Sequence, residues 1–121
     1  MGTDRKRIFI CSPFAGDVIA NIIRAKALCR EAVDMGVAPF APHLHYTRFL
    51  PDVGASREVG IECGLVYLET SAELWYSCAG NNLPTNGMQR EIDYARELGI
   101  PVMEFSEARR VHGGGECLRI Q

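Results

Sequence analysis

No apolar run in the sequence approaches the ~20 residues that cross a bilayer as a helix, so no membrane partner is expected. The opening Met1-Gly2-Thr3-Asp4-Arg5-Lys6-Arg7 leads straight into a strand-like segment and has no signal-peptide core. Position 6 carries Lys in place of the Ser or Thr that myristoylation at Gly2 requires. A basic excess is missing too: 13 Lys and Arg stand against 15 Asp and Glu, a net charge of −2. Binding a nucleic-acid polymer through its phosphates needs clustered Lys and Arg, so that class of partner is excluded. The five cysteines, at 11, 29, 63, 78 and 117, are odd in number and form neither a C-x-x-C pair nor a Cys/His finger spacing. Cys29 and Cys63 fall on helical faces and Cys11 and Cys78 in strand-like segments, where free thiols serve as small apolar residues. The expectation is a reduced, cytoplasmic protein without structural zinc, other metal or disulfides. Repeats, linkers and long charge blocks are also lacking, which excludes disorder.

What the chain does have is apolar content, 47% of 121 residues. At this length roughly two-thirds of the unfolded chain's surface can be buried, enough for one core. We read residues 1–121 as a single domain, with a core at 8–105 and a tail at 106–121. Short strands alternate with amphipathic helices, the pattern of a parallel sheet covered on both faces. Strands are expected at 7–12, 37–42 (broken by Pro39 and Pro42), 73–78 and 100–105. Helices are expected at 17–35, with Asp17 as N-cap and Gly36 as C-cap, at 55–70 and at 88–98. Residues 43–54 read as irregular, 79–87 as a Gly/Asn/Pro loop, and 117–120 as a short edge strand. Right-handed crossovers then give an α/β fold: a small doubly wound, flavodoxin-like parallel sheet of four to five strands in the order 2-1-3-4. Ligands of such sheets bind beyond the carboxyl ends of the strands where the order reverses. That places a crevice between the loop after strand one, 12–16, and the loop after strand three, 79–87.

Several residues break the pattern. On a wheel at about 100° per residue, Met88, Ile92, Tyr94, Ala95 and Leu98 form the apolar stripe of the third helix. Glu91 falls inside it, where a carboxylate is costly unless it is rewarded. Function and an ion pair with an arginine both account for it. In the first helix Val18, Ile22, Ala25, Cys29, Ala32 and Val33 make the core face, and Asn21 projects beside Leu28, either near the crevice or bonding a neighbouring loop. The loop Ser12-Pro13-Phe14-Ala15-Gly16 offers small residues before a helix start, which suits an anionic group, though it is neither G-x-G-x-x-G nor a P-loop. His43 and His45, with Tyr46, either line a polar cleft, sit in solvent or ligate a metal, for which no third ligand is near. Trp75 either packs in the core or stacks on a base. The second helix is apolar on two sides, with Val59, Cys63 and Val66 on one and Ile61, Leu65 and Leu68 on the other. Its Gly60 and Gly64 admit a close partner, so a homodimer or higher homo-oligomer is expected.

With these residues in view, the chain resembles the nucleoside 2-deoxyribosyltransferase-like superfamily, and within it a branch of small bacterial and phage proteins of unassigned function. The likeness spans residues 8–105. It rests on Ile8-Phe9-Ile10-Cys11-Ser12-Pro13-Phe14, Pro42-His43-Leu44-His45-Tyr46-Thr47-Arg48-Phe49-Leu50, Arg57-Glu58-Val59-Gly60-Ile61, Glu73-Leu74-Trp75, and Thr85-Asn86-Gly87-Met88-Gln89-Arg90-Glu91-Ile92-Asp93-Tyr94-Ala95. In the transferases the glutamate of the last motif is the nucleophile that attacks the anomeric carbon, and it maps onto Glu91. The chain departs from them in having Ala72, where an aspartate precedes the third strand, and Thr85, where an aspartate or serine precedes the glycine.

The resemblance implies a nucleoside- or nucleotide-processing N-glycosidase or deoxyribosyltransferase that needs no cofactor, with Glu91 catalytic. Ser12, Pro13, Phe14, Gly16, Asn21, His45, Tyr46, Arg57, Trp75, Thr85, Asn86, Gly87 and Met88 would bind the substrate, the 12–16 loop and Thr85 holding the sugar or phosphate and Phe14, Tyr46 and Trp75 contacting the base. The alternative is a non-catalytic protein that senses or sequesters a nucleotide-like ligand, which Ala72 favours by removing an acid. In either case the partner is a small nucleoside or nucleotide, in a bacterial or phage-infected cytoplasm.

Overall fold

The computed structural model describes residues 3–78 and 83–113. Among these, β1 (Arg7–Cys11), β2 (Ala38–Phe40), β3 (Glu73–Tyr76) and β4 (Val102–Glu104) form one parallel sheet in the order β2-β1-β3-β4. This is the expected doubly wound sheet. The proposed strand at 117–120 lies outside the described residues. Alternation along β1 builds both halves of the core. Ile8 and Ile10 face the side covered by α1 (Val18–Asp34) and α4 (Phe105–Ala108), together with Leu28, Ala32, Trp75, Phe105 and Ala108. Phe9 and Cys11 face the side covered by α2 (Gly54–Leu68) and α3 (Asn86–Glu97), with Leu68, Leu74, Met88, Ile92 and Ala95.

Helix ends follow local chemistry. The Asp17 carboxylate accepts from the Ala20 N–H at 3.1 Å and caps α1, and Gly36 leaves that helix at φ +93°, a conformation that favours glycine. Thr85 caps α3 by accepting from the Met88 N–H at 3.2 Å.

Four expectations need correction. Pro39 does not break the second strand but sits inside it: Ala38 N–H donates to the Lys6 carbonyl at 2.8 Å, so the next nitrogen, proline's, faces the open edge and no ladder bond is lost. The buried line of α1 is Asn21, Ala25, Leu28 and Ala32, rotated from the expected face, and it leaves Val18 and Val33 exposed. Residues 42–48 are not irregular but form two 3-10 turns, Pro42–Leu44 and Tyr46–Arg48. The tail starts as α4 and continues as a wider turn, Arg109–Gly113. Arg109 lies over the Phe105 ring and donates to Glu31 at 3.0 Å, while His112 meets Glu73 at 3.2 Å. Residues 105–113 therefore cover the α1 face of the sheet.

Gly60 and Gly64 also serve another purpose than the expected one. A Cβ at Gly64 would meet Pro42 at 3.4 Å, and one at Gly60 would meet Leu50 and Tyr46 at 3.8 Å. Both glycines admit the 42–50 segment of their own chain. The two positions should respond with opposite signs in chemical denaturation. Gly64→Val overpacks against Pro42 and should destabilise by about 1–3 kcal/mol. Gly60→Ala adds only ordinary contacts and should stabilise by up to about 1 kcal/mol through helix propensity. Equal tolerance at both positions would contradict this packing.

Candidate functional site

A cleft opens at the carboxyl end of β1, with about 670 Å³ of space, its open mouth included. Four pieces of chain wall it. Phe14 and Ala15 come from the loop after β1, and Pro42, His43, Tyr46, Thr47, Leu50, Pro51 and Asp52 from the turns between β2 and α2. Ser56, Arg57, Gly60 and Ile61 come from the start of α2, and Thr85, Gly87 and Glu91 from the start of α3. This lies where the strand order reverses, with the 42–61 wall as an addition that the topology alone did not supply.

Glu91 is carried there by packing. Met88, Ile92 and Ala95 lock α3 onto the sheet, and Glu91 shares their buried side at 5% exposure. Burial pushes its carboxyl up from the ordinary 4.5 to about 7. The neighbouring Cys11 thiol and the Arg90 charge oppose the rise without cancelling it. In return, burial and the Glu91 charge push the Cys11 thiol well above its usual range, so it stays protonated and donates to the Met88 carbonyl at 3.7 Å. Arg90 itself points away, into an exposed ion pair with Glu58 at 3.0 Å. The arginine partner that would make Glu91 purely structural is not this one.

Opposite structural roles fall to the rest of the wall. The His43 ring stacks on Phe14 with centroids 5.1 Å apart, and burial pushes its pKa below the usual 6.5. Asp52 and Arg57 form an ion pair at 3.5 Å. Asn21 holds the β1 loop from behind, its amide donating to the Phe14 and Ala15 carbonyls at 3.0 and 3.1 Å.

Of the residues singled out in the sequence, Phe14, Tyr46, Arg57, Thr85, Gly87 and Glu91 meet at the cleft. The others do not line it. Ser12 and Pro13 are buried beneath the loop, and the Ser12 hydroxyl finds no hydrogen-bond partner. Gly16, at φ +97°, turns the chain into α1, and Asn86 is exposed on α3. Met88 belongs to the core, and Asn21 is a support rather than a wall. His45 turns outward against Phe40 and Phe49. Trp75 is fully buried on the other face of the sheet, edge-on to Phe105, with its indole N–H donating to Glu73 at 2.8 Å. It contacts no cleft residue there, so the base-stacking role is withdrawn. Ala72 stands at the amino end of β3, donating to the Arg7 carbonyl at 2.8 Å, so a carboxylate at that position would not face the cleft either. The sequence reading missed Asp52 and Ser56, and paired His43 with His45 although only His43 faces inward.

Among the described residues no helix is long and apolar enough to cross a membrane, no group of three His, Cys, Asp or Glu side chains is placed to hold a metal, and Cys11, Cys29, Cys63 and Cys78 are free thiols.

Residues 6–105 match a family described as a domain of unknown function (DUF7768). No curated protein matches the chain. Among solved structures, a 2-deoxyribosyltransferase from the psychrotolerant bacterium Bacillus psychrosaccharolyticus is similar at 23% identity, over 81% of this chain and 70% of that one, with a TM-score of 0.58. The chain thus has a nucleoside 2-deoxyribosyltransferase-like fold.

Glu91 gives stability a pH dependence with a definite sign. Below about pH 4.5 the carboxyl is protonated in folded and unfolded chains alike. Between there and about 7 only the unfolded chain ionises, so stability falls as pH rises, and the loss is complete above about 7. Its size is on the order of 3 kcal/mol. Glu91→Gln removes that loss. Melting temperatures of variant and wild type should coincide near pH 4.5 and separate by several degrees in the variant's favour at pH 8. Parallel curves would show that the carboxyl is not desolvated.

Proposed function

The chain belongs to the family described as a domain of unknown function (DUF7768), and we propose that it is a nucleoside- or nucleotide-processing N-glycosidase or deoxyribosyltransferase in which Glu91 is the nucleophile. The observation that carries this is the Glu91 carboxyl, 5% exposed on the cleft wall and ionising near neutrality. A buried carboxylate poised to form an ester with an anomeric carbon is how retaining glycosidases split one displacement into two. The cleft has the largely apolar lining of a small-molecule site. Phe14 and Tyr46 offer aromatic faces to a base, and Ser56, Arg57 and Thr85 offer polar groups to a sugar or phosphate. The fold shared with a 2-deoxyribosyltransferase supports the same reading.

The proposal takes residues 1–121 as one working domain of the cytoplasm, without cofactor. It also takes the protein as a homo-oligomer, supported now by the exposed α2 side chains Val59, Val66 and Tyr67 rather than by the glycines. Small-angle scattering at high concentration should give at least a dimer's mass, and a monomer would remove that part.

Chromatography of free base from a panel of 2′-deoxynucleosides and their 5′-monophosphates tests the chemistry. Wild type should release base at a rate that climbs about tenfold per pH unit below 7 and levels off above it, because only the carboxylate attacks. Glu91→Gln should abolish release while the same compound still raises its melting temperature. A compound that raises the melting temperature of wild type without ever losing its base makes the protein a binder instead.

A further inference from the structure

Resolving an ester on Glu91 takes a base, and Glu91 cannot serve while esterified. The other titratable side chains on the cleft wall are His43, Tyr46, Asp52 and Arg57. Arg57 is a permanent cation, and it occupies the Asp52 carboxylate at 3.5 Å. Burial pushes the Tyr46 phenol above its usual 10, so it keeps its proton at neutral pH. His43 is left. Its ring is fixed by the stack on Phe14 at 5.1 Å and by a hydrogen bond to the Ser12 backbone. That bond favours the protonated ring, so the ring N–H is the donor and the Ser12 carbonyl the acceptor. In the neutral imidazole the second nitrogen then carries the free lone pair.

We propose that His43 is the general base of the cleft, taking the proton from the water or second nucleobase that displaces Glu91 from the sugar. This rests on the glycosyl-transfer reading above. In the first step the Glu91 carboxylate bonds the anomeric carbon and the glycosidic C–N bond breaks, its electron pair leaving with the base. In the second, a water oxygen bonds that carbon, the ester C–O bond breaks, and its pair returns to Glu91. The water's proton passes to His43, and from there to the released base. No other reactant is consumed. Burial keeps the imidazole neutral at pH 7, Asp52 favours its protonated form, and Arg57 opposes it.

Steady-state and burst kinetics on 2′-deoxyadenosine and 2′-deoxyinosine test this in His43→Ala and in His43→Gln, which preserves more of the ring's volume and a donor for Ser12. We expect kcat to fall about 10²–10⁴-fold while kcat/KM for base release holds, with a burst of one base per site. Sodium azide, a nucleophile that needs no deprotonation, should restore turnover in the His43 variants and yield a glycosyl azide, but should do nothing for Glu91→Gln. Undiminished turnover in folded His43 variants, or a loss that azide leaves unchanged, overturns the role of His43 and leaves Glu91 in place. A wild type that releases no base from any nucleoside or nucleotide overturns both.

Discussion

The central position of β1 is the constraint from which the rest of the molecule follows. It hydrogen-bonds β2 on one side and β3 on the other, both parallel. The crossover through α1 must cover one face and the crossover through α2 the opposite face, because both are right-handed and run in opposite directions along the sheet, β1 to β2 and then β2 past β1 to β3. The chain leaving β1 and the chain entering α3 therefore diverge at the carboxyl end, and a crevice opens between them. Occupying that position means burial on both faces, and Ile8, Phe9, Ile10 and Cys11 are each at most 1% exposed. The Ser77 N–H, donating to the Cys11 carbonyl at 3.0 Å, extends the β1–β3 ladder to the edge of the crevice.

Within that frame the placement of Glu91 sets stability against the proposed chemistry. Met88, Ile92 and Ala95 gain by burial, and they carry a carboxyl into the same low-dielectric layer, beside a thiol that cannot neutralise it. The fold is relieved only when the carboxyl is protonated, whereas the proposed attack on carbon requires it ionised. With a value near 7, roughly half the molecules hold the ionised form at neutral pH. Catalytic positions commonly trade stability for reactivity in this way.

Strand order was legible because it depends on crossover handedness and on short apolar runs, 7–12 and 73–78, of the kind that mark buried parallel strands. Glu91 was legible because a helical wheel needs only local spacing. The failures were of tertiary origin. The face of α1 rotated towards Asn21 because that side chain bonds the β1 loop, a contact between segments that no periodicity records. Trp75 could have been placed by parity: Leu74 faces α3, so its neighbour faces α1. The two histidines could not have been separated, since they flank the end of a 3-10 turn at about 120° per residue, which puts i and i+2 on different sides. The tail was unreadable because α4 is four residues long and is held by Arg109, Glu31 and Phe105 rather than by its own pattern.

The loss of an aspartate at position 72 looked, in the sequence, like the loss of an acid from the site, and hence like a binder. The geometry removes that inference. Ala72 lies at the amino end of the sheet, beside Arg7, while every cleft residue gathers at the carboxyl end. The titratable groups of the cleft are those on the wall itself. Burial raises the Glu91 carboxyl towards neutrality and lowers the His43 imidazole from its usual value. Opposite shifts are what a single desolvated cavity imposes on an acid and a base, since it penalises whichever form is charged.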